Sequence, residues 1–111
     1  MDKEIQGRNN APELKRAINI AAAYSMSATD EFVDATTTTA GYDVTLPNAV
    51  MCNNGRDYTI RGVALATGKS VTVKSGADSF STLSQAITAT GCYVVVRSNG
   101  RMWYVVAEKL S

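Results

Sequence analysis

The stretch from Tyr93 to Val106 decides the fold class: Tyr93-Val94-Val95-Val96-Arg97-Ser98-Asn99-Gly100-Arg101-Met102-Trp103-Tyr104-Val105-Val106. Two runs rich in β-branched and aromatic residues flank Asn99-Gly100. This dipeptide is the one that best tolerates the positive φ angles of a type I′ turn. The stretch therefore predicts a β-hairpin with a tight turn at Asn99-Gly100.

The sequence before this hairpin repeats the same pattern of short strands and turns. Residues 42–46, 58–63 and 71–74 alternate apolar and polar side chains, and Gly, Asn and Pro residues lie between them. Short strands at a spacing of about ten residues, without helices between them, are typical of an antiparallel β-sandwich or a barrel-like domain. We expect such a mainly β domain over about residues 29–109.

Residues 11–27 are the only segment with a helical pattern. Asn10 can cap a helix, and Glu13 follows it by three residues, in a capping-box relation. The apolar stripe of this predicted α-helix is rich in alanine, so it suits close approach to another surface. That surface could be the chain's own sheet or a symmetry-related copy, and the sequence leaves both open. With residues 1–10 as a short extended arm, the predicted division is 1–27 and 28–111.

Composition limits the classes of partner. The chain has 111 residues, the size of one domain, and a net charge of +1, which gives no general reason to bind nucleic acid or an anionic membrane. No apolar run approaches the roughly 20 residues of a membrane span. The polar start lacks the profile of a signal peptide, so we expect synthesis in the cytoplasm without export. Cys52 and Cys92 have no metal-like spacing and are expected to be small buried or half-buried thiols.

The residue types that carry most catalytic chemistry are absent or scattered. The chain has no histidine, which removes Ser-His-Asp and Cys-His arrangements and the commonest transition-metal ligand. The carboxylates show neither a calcium-loop spacing nor a pattern for paired acid–base work, and the glycines form no phosphate-binding loop. We therefore expect no catalytic, cofactor or metal site. Trp103, the sole tryptophan, is expected to anchor a core or an interface, with sugar stacking as the alternative.

The strand segments, taken in order, resemble a known family of domains. Val44-Thr45-Leu46-Pro47 is followed by Gly55-Arg56-Asp57-Tyr58-Thr59-Ile60, and Ser98-Asn99-Gly100-Arg101-Met102-Trp103 closes the series. This order is similar to that of the small β-domain in head fibres, capsid decoration proteins and tail fibres of tailed bacteriophages. The resemblance covers roughly residues 35–107.

The resemblance implies a non-enzymatic virion protein on the outer surface of a phage particle. Such domains are typically homotrimers, and the expected partners are other copies of the chain and the major capsid protein or another virion protein. The alternative is a receptor- or glycan-binding tip, or an attachment module of a tail fibre or baseplate, with a host-surface glycan as partner. The expected capsid-attachment residues are Ile5, Arg8, Asn9 and Leu14. The expected trimer-interface residues are Ile18, Ala21, Tyr24, Trp103 and Tyr104.

Overall fold

A computed structural model describes residues 17–76 and 82–111, which form two β-sheets and one short 3₁₀-helix. The strands are β1 Ile18–Ile20, β2 Tyr24–Ser25, β3 Phe32–Thr36, β4 Tyr42–Thr45, β5 Asp57–Ala64, β6 Val71–Lys74, β7 Ser84–Ile87, β8 Tyr93–Ser98 and β9 Trp103–Lys109. The 3₁₀-helix, Ala49–Cys52, connects β4 to β5. The fold is therefore mainly β, as the sequence predicts.

The chain passes back and forth between the two sheets. The five-stranded sheet has the order β1-β3-β5-β8-β9, and the four-stranded sheet has the order β2-β4-β6-β7. From β1 to β6, successive strands alternate between the two sheets. Each of the strands β1 to β4 therefore pairs with the next strand but one: β1 with β3, β2 with β4, β3 with β5 and β4 with β6. A strand of the opposite sheet thus forms the crossover that a helix forms in βαβ units.

This winding makes the sheets mixed, which corrects the prediction of an antiparallel fold. The pairs β1–β3, β3–β5, β2–β4 and β4–β6 are parallel, whereas β5–β8, β6–β7 and β8–β9 are antiparallel. Alternation along each strand was visible in the sequence, but strand direction depends on which sheet each connection enters. Both sheets are open, so the barrel-like alternative is wrong as well.

The predicted α-helix over residues 11–27 is also wrong where the structure describes it. Residues 11–16 lie outside the described residues, and the rest form β1, β2 and their connections. Ile18 pairs with Val33, and Ile20 with Ala35, in parallel register. The Ile-Asn-Ile alternation suits a strand edge, and β-branched isoleucine favours strands. The sheets thus extend to the N-terminal side of residue 28.

The core lies between the two sheets and is built from alternate strand positions. Val33, Ile60 and Val94 point inward from the five-stranded sheet, and Val44 and Val73 from the four-stranded sheet. All five are fully buried, and each such side chain contributes roughly 1.5–3 kcal/mol relative to an exposed one. Cys52 and Cys92 are also buried and are free thiols, and burial raises the pKa of the Cys52 thiol.

The predicted hairpin is confirmed, with a longer turn than expected. Strands β8 and β9 pair in antiparallel register down to Ser98 opposite Trp103, so the turn contains four residues, 99–102. The Asn99 side-chain carbonyl accepts hydrogen bonds from the backbone N–H groups of Arg101 and Met102, both at 3.0 Å. Gly100 supplies the positive φ, at 91°. The side chain of Asn99 thus caps a wider turn than Asn99-Gly100 alone would make.

The connection between β2 and β3 is fixed by the buried carboxylate of Asp30. The Tyr24 hydroxyl donates to Asp30 Oδ2 at 2.6 Å, and the Ser27 backbone N–H donates to the same oxygen at 2.9 Å. Burial by itself would raise the pKa of Asp30, but these hydrogen bonds outweigh it and lower the pKa below its ordinary value. The same bond to Asp30 raises the pKa of Tyr24.

We expect Asp30→Asn to cost roughly 1–3 kcal/mol at neutral pH, because it removes a charged acceptor of two hydrogen bonds. A carboxyl group whose pKa is lower in the folded chain than in the unfolded chain stabilises the folded state. This contribution is complete at pH values above the unfolded pKa of about 3.9, and it is lost as the pH falls through the pKa of the folded state. Urea unfolding at pH 7 and at about pH 3 measures the effect. The free energy of unfolding should differ less between the two pH values in Asp30→Asn than in the wild type. Tyr24→Phe should reduce this difference by a smaller amount. An unchanged difference would contradict this role.

Candidate interaction surfaces

The predicted attachment residues Ile5, Arg8, Asn9 and Leu14 lie outside the described residues. The structure instead shows where the chain leading from them reaches the fold. Strands β1, β3 and β5 are parallel, so their first residues lie at one end of the five-stranded sheet. The antiparallel strand β8 finishes at that end, because Arg97 pairs with Asp57. We name it the proximal end, and the opposite end, with residues 21–23, the distal end.

Two connections at the proximal end are locked together by buried hydrogen bonds. Ser98 Oγ donates to the carbonyl oxygen of Ala49 at 2.6 Å, and Trp103 Nε1 donates to the carbonyl oxygen of Pro47 at 2.7 Å. Ser98 Oγ also accepts from the Gly100 N–H at 2.9 Å. The 3₁₀-helix and the hairpin turn are therefore held in fixed relation to each other.

This locked structure presents apolar side chains to solvent. Val50 is 63% exposed and Met51 72%, the two largest values among the exposed large hydrophobic residues, and Met102 in the hairpin turn is 36% exposed. Methionine adapts its shape to a partner surface, and large exposed apolar groups on a fixed framework are typical of contact sites. We name Val50, Met51 and Met102 the proximal tip.

The predicted trimer-interface residues do not share one surface. Ile18 lies in β1 of the five-stranded sheet, Tyr24 in β2 of the four-stranded sheet, and Ala21 in the connection between them. Trp103 and Tyr104 lie on opposite faces of β9: Trp103 is 2% exposed and Tyr104 is 42% exposed. The helix that would have aligned Ile18, Ala21 and Tyr24 is absent from the described residues.

Trp103 is a core residue of the protomer. Its ring meets Tyr58 edge to face, with ring centroids 5.3 Å apart and an interplanar angle of 88°. The Tyr58 hydroxyl donates to the Ala28 carbonyl oxygen at 2.7 Å, so both rings are bonded at their polar ends. A sugar could stack on Trp103 only after this pair had been opened.

The outer faces of the two sheets differ in chemistry. The four-stranded sheet presents small and polar side chains, which we name the polar face: Ser25, Asp43, Thr45, Thr72, Lys74, Ser84 and Ala86. The five-stranded sheet presents aromatic and aliphatic side chains among charged ones, which we name the aromatic face: Phe32, Asp34, Asp57, Thr59, Arg61, Tyr93, Val95, Arg97, Tyr104 and Ala107. The small and polar side chains of the polar face are typical of a sheet face that is directed to water.

The aromatic face has an apolar centre between two charged rows. The central row follows from the strand register: Phe32 pairs with Thr59, Thr59 with Val95, and Val95 with Ala107. One flanking row contains Asn19, Asp34, Arg61, Tyr93 and Lys109, and the other contains Asp57, Arg97 and Tyr104. A depression of about 360 Å³ next to the central row is lined by Ala17, Phe32, Thr59 and Arg61.

The arginines of this face are paired within the chain. Arg61 binds both carboxylate oxygens of Asp34, each at 2.9 Å, and this pairing raises the pKa of the guanidinium. Arg97 donates to Asp57 at 2.7 Å. Each of these two arginines is therefore neutralised by a carboxylate of the same sheet, and Lys109, which pairs with Tyr93, leaves the rows with a small positive charge.

Sequence reasoning missed the aromatic face, although a signal for it was present. The run from Tyr93 to Val96 is apolar at every position, whereas a strand with one solvent face alternates. Val94 and Val96 are buried in the core, and Tyr93 and Val95 are half-buried on the other side. A continuous apolar run of this kind is typical of a strand that is covered on both faces.

No group of three or more His, Cys, Asp or Glu side chains that could hold a metal ion occurs within residues 17–76 and 82–111. In the same part of the chain, no helix has the length and apolar character needed to cross a membrane. The chain has no significant match among protein-family models, curated proteins or solved structures. The resemblance to phage β-domains therefore stays a prediction based on the sequence pattern.

Proposed function

We propose that this chain is a non-enzymatic virion structural protein, a capsid decoration or head-fibre subunit. It docks on the capsid through its N-terminal segment and displays a homotrimeric β-domain on the outer surface of the particle. Its partners are other copies of itself and the major capsid protein or another virion protein. The ordered strand series that resembles phage surface domains supports this function, and the fold provides a docking end.

The observation that carries the proposal is the placement of the proximal tip. Ala17 is the first described residue, and it precedes Ile18 at the start of β1, which begins at the end of the sheet that presents Val50 and Met51. An exposed apolar surface at that end can meet the partner that the N-terminal segment is proposed to bind. The distal end carries Ala21, Ala22 and Ala23, all exposed and small, and faces away from that partner.

Deleting residues 1–10 should abolish binding to phage heads that lack this protein, while the sheets remain folded, since all strands of the described part of the chain lie after residue 17. Co-sedimentation with heads measures binding, and far-UV circular dichroism checks the fold. Unchanged binding by the shortened chain would refute the assignment of the attachment segment.

The proximal tip should contribute to the same binding. Val50→Ser combined with Met51→Ser should weaken the affinity for heads in co-sedimentation by roughly a hundredfold, because two exposed apolar groups lose burial worth about 1.5 kcal/mol each. Ala22→Ser combined with Ala23→Ser is the matched control, since it makes an equal number of substitutions at exposed positions of the distal end. Equal affinity of the two variants would remove the tip from the docking surface.

A receptor- or glycan-binding tip, or a tail-fibre or baseplate attachment module, is the second candidate. The exposed ring of Tyr104 favours it, because an exposed aromatic ring can stack on a sugar. A glycan array separates the two functions. Selective binding that Tyr104→Ala abolishes would support the second candidate, and a pure decoration protein should bind no glycan selectively.

A further inference from the structure

We infer that the aromatic face is a contact between copies of this chain, in which β9 of one copy seats against the β1–β3–β5 part of the next. This inference rests on the homotrimer in the proposed function and names the surface that would form it. It replaces the scattered set Ile18, Ala21, Tyr24 and Trp103 with one continuous surface, and it retains Tyr104.

The first argument is the contrast between the two outer faces. Both sheets cover the same core, so each has one face free for water or a partner. Only the five-stranded sheet presents Phe32, Tyr93, Val95 and Tyr104 on that face. Aromatic residues are enriched at protein interfaces, whereas small polar residues are typical of a face that remains in water. The polar face therefore shows what this fold presents where nothing covers it.

The second argument is electrostatic and favours a second copy over other occupants. Burying an unpaired charge is costly, but the Asp34–Arg61 and Asp57–Arg97 pairs are already formed within each chain. With both arginines paired, the net charge of the rows is that of Lys109 near the end of β9, which leaves little repulsion between two copies. A strongly charged partner, such as a nucleic acid, would find little excess of opposite charge on these rows.

The third argument is the shape of the face. On one side, edge strand β9 carries Tyr104, 42% exposed, and Val106, 43% exposed. Val106 is the extra residue of a bulge, because Val105 pairs with Val96 and Ala107 with Val95. On the other side lies the depression lined by Ala17, Phe32, Thr59 and Arg61. A raised apolar edge and a recess on different parts of one sheet fit a head-to-tail contact.

Head-to-tail contacts close into rings when the rotation between copies allows it, and a ring of three satisfies every copy equally. A twofold contact could also seat each edge in the recess of the other copy, so the mass in solution separates the two arrangements: a dimer mass would overturn the ring of three. Five strands about 4.8 Å apart and about five residues long cover on the order of 400 Å², roughly half of what one partner buries in a standard interface.

Light scattering on the full chain tests the surface. The wild type should have three times the protomer mass of 11.8 kDa. Val95→Lys and Tyr104→Ser should each return the mass to that of one protomer. Thr72→Lys is the matched control, since Thr72 is a half-buried outward position in the middle of the four-stranded sheet, and it should keep the wild-type mass. Circular dichroism checks that each variant is folded, and Tyr104→Ser keeps the test valid if Val95→Lys unfolds.

The outcomes separate this inference from the proposed function. If the wild type is a trimer and both face variants remain trimers, the aromatic face is not the contact, although the trimer stands. If the wild type is a monomer, both the trimer and the inference fall, while docking through residues 1–10 is decided by the head-binding experiment. If truncation of residues 1–16 alone dissolves the trimer and the face variants do not, the contact belongs to that segment and the inference is overturned.

Cysteine cross-linking tests the head-to-tail arrangement. Thr59→Cys and Val106→Cys are prepared as separate proteins, and the native Cys52 and Cys92 are buried. Under mild oxidation, cross-linked dimers should form when the two proteins are mixed and should be absent from either protein alone. Cross-linking of one variant to itself at a similar yield would indicate a twofold contact and would overturn the ring.

Discussion

Trp103→Ala should lower the free energy of unfolding by about 3–5 kcal/mol, the usual range for deleting a large buried aromatic side chain. The substitution removes the edge-to-face contact with Tyr58, whose ring centroid lies 5.3 Å from that of Trp103. It also removes the donor to the Pro47 carbonyl oxygen, a 2.7 Å hydrogen bond that connects β9 to the start of the 3₁₀-helix. The large loss thus combines a cavity and an unmade hydrogen bond.

Two further variants separate these contributions. Trp103→Phe keeps an aromatic ring but loses the Nε1 donor, so it should cost less than Trp103→Ala. Met102→Ala, at the neighbouring exposed position, should change stability by about 0.5 kcal/mol or less. Urea unfolding should be followed by circular dichroism, because both Trp103 variants lack the only tryptophan. A cost below about 1 kcal/mol for Trp103→Ala would contradict its role as a core anchor.

Gly41→Ala should destabilise the fold by about 3 kcal/mol, at the upper end of the cost of overpacking. A Cβ atom at Gly41 would lie closer to the Ser70 carbonyl oxygen than real Cβ atoms approach any neighbour. That oxygen is a backbone atom and also accepts the Tyr42 N–H at 3.1 Å, so it cannot rotate away as a side chain could. The first residues of β4 and β6 would have to separate, and their pairing at Tyr42 and Val71 would be disturbed.

Gly68 provides a control, because a substitution there would strain the backbone and would not cause a steric clash. It has a φ of +76° and no atom within 4 Å of an added Cβ, so substitution there strains only the backbone. Gly68→Ala should cost roughly 1–2 kcal/mol, and Gly68→Asn should recover part of this, since asparagine tolerates positive φ. Gly41→Asn should recover nothing relative to Gly41→Ala. Chemical denaturation of the four variants measures these costs, and recovery at Gly41 would show that the close approach is not the cause.

The sequence predicted strands correctly where apolar and polar residues alternate. It predicted them incorrectly where a strand pairs with a partner that is distant in the sequence. Residues 42–46, 58–63 and 71–74 lie on β4, β5 and β6, and the hairpin of β8 and β9 is present, because alternation and turn residues are local signals. The pairing of Ile18 with Val33, by contrast, depends on a chain that has first crossed to the other sheet and returned. No local pattern records that path, and the alanines nearby imitate a helical stripe.

The candidate surfaces could be predicted only in part, because local sequence patterns do not show which face of which sheet a residue occupies. The apolar run from Tyr93 to Val96 showed a strand with two apolar faces, but which outer face it belongs to required the sheet order. The proximal tip gave no signal, because Val50 and Met51 resemble core residues in the sequence. Their exposure follows from the 3₁₀-helix, which buries Ala49 and Cys52 and turns the two residues between them outward.

The position of β8 between β5 and β9 in the five-stranded sheet governs how the chain can fold during synthesis. Strand β5 pairs with β3 on one side and with β8 on the other. Ile60 of β5 pairs with Val94 of β8, which follows it by 34 residues in the sequence. Until the last third of the chain has left the ribosome, β5 remains an open edge with hydrogen-bonding groups exposed to other nascent chains. Contacts this distant in sequence also slow folding, towards milliseconds to seconds. The five-stranded sheet should therefore form only after residues 93–98 have been synthesised, and the yield of folded protein should depend on how fast that edge is closed.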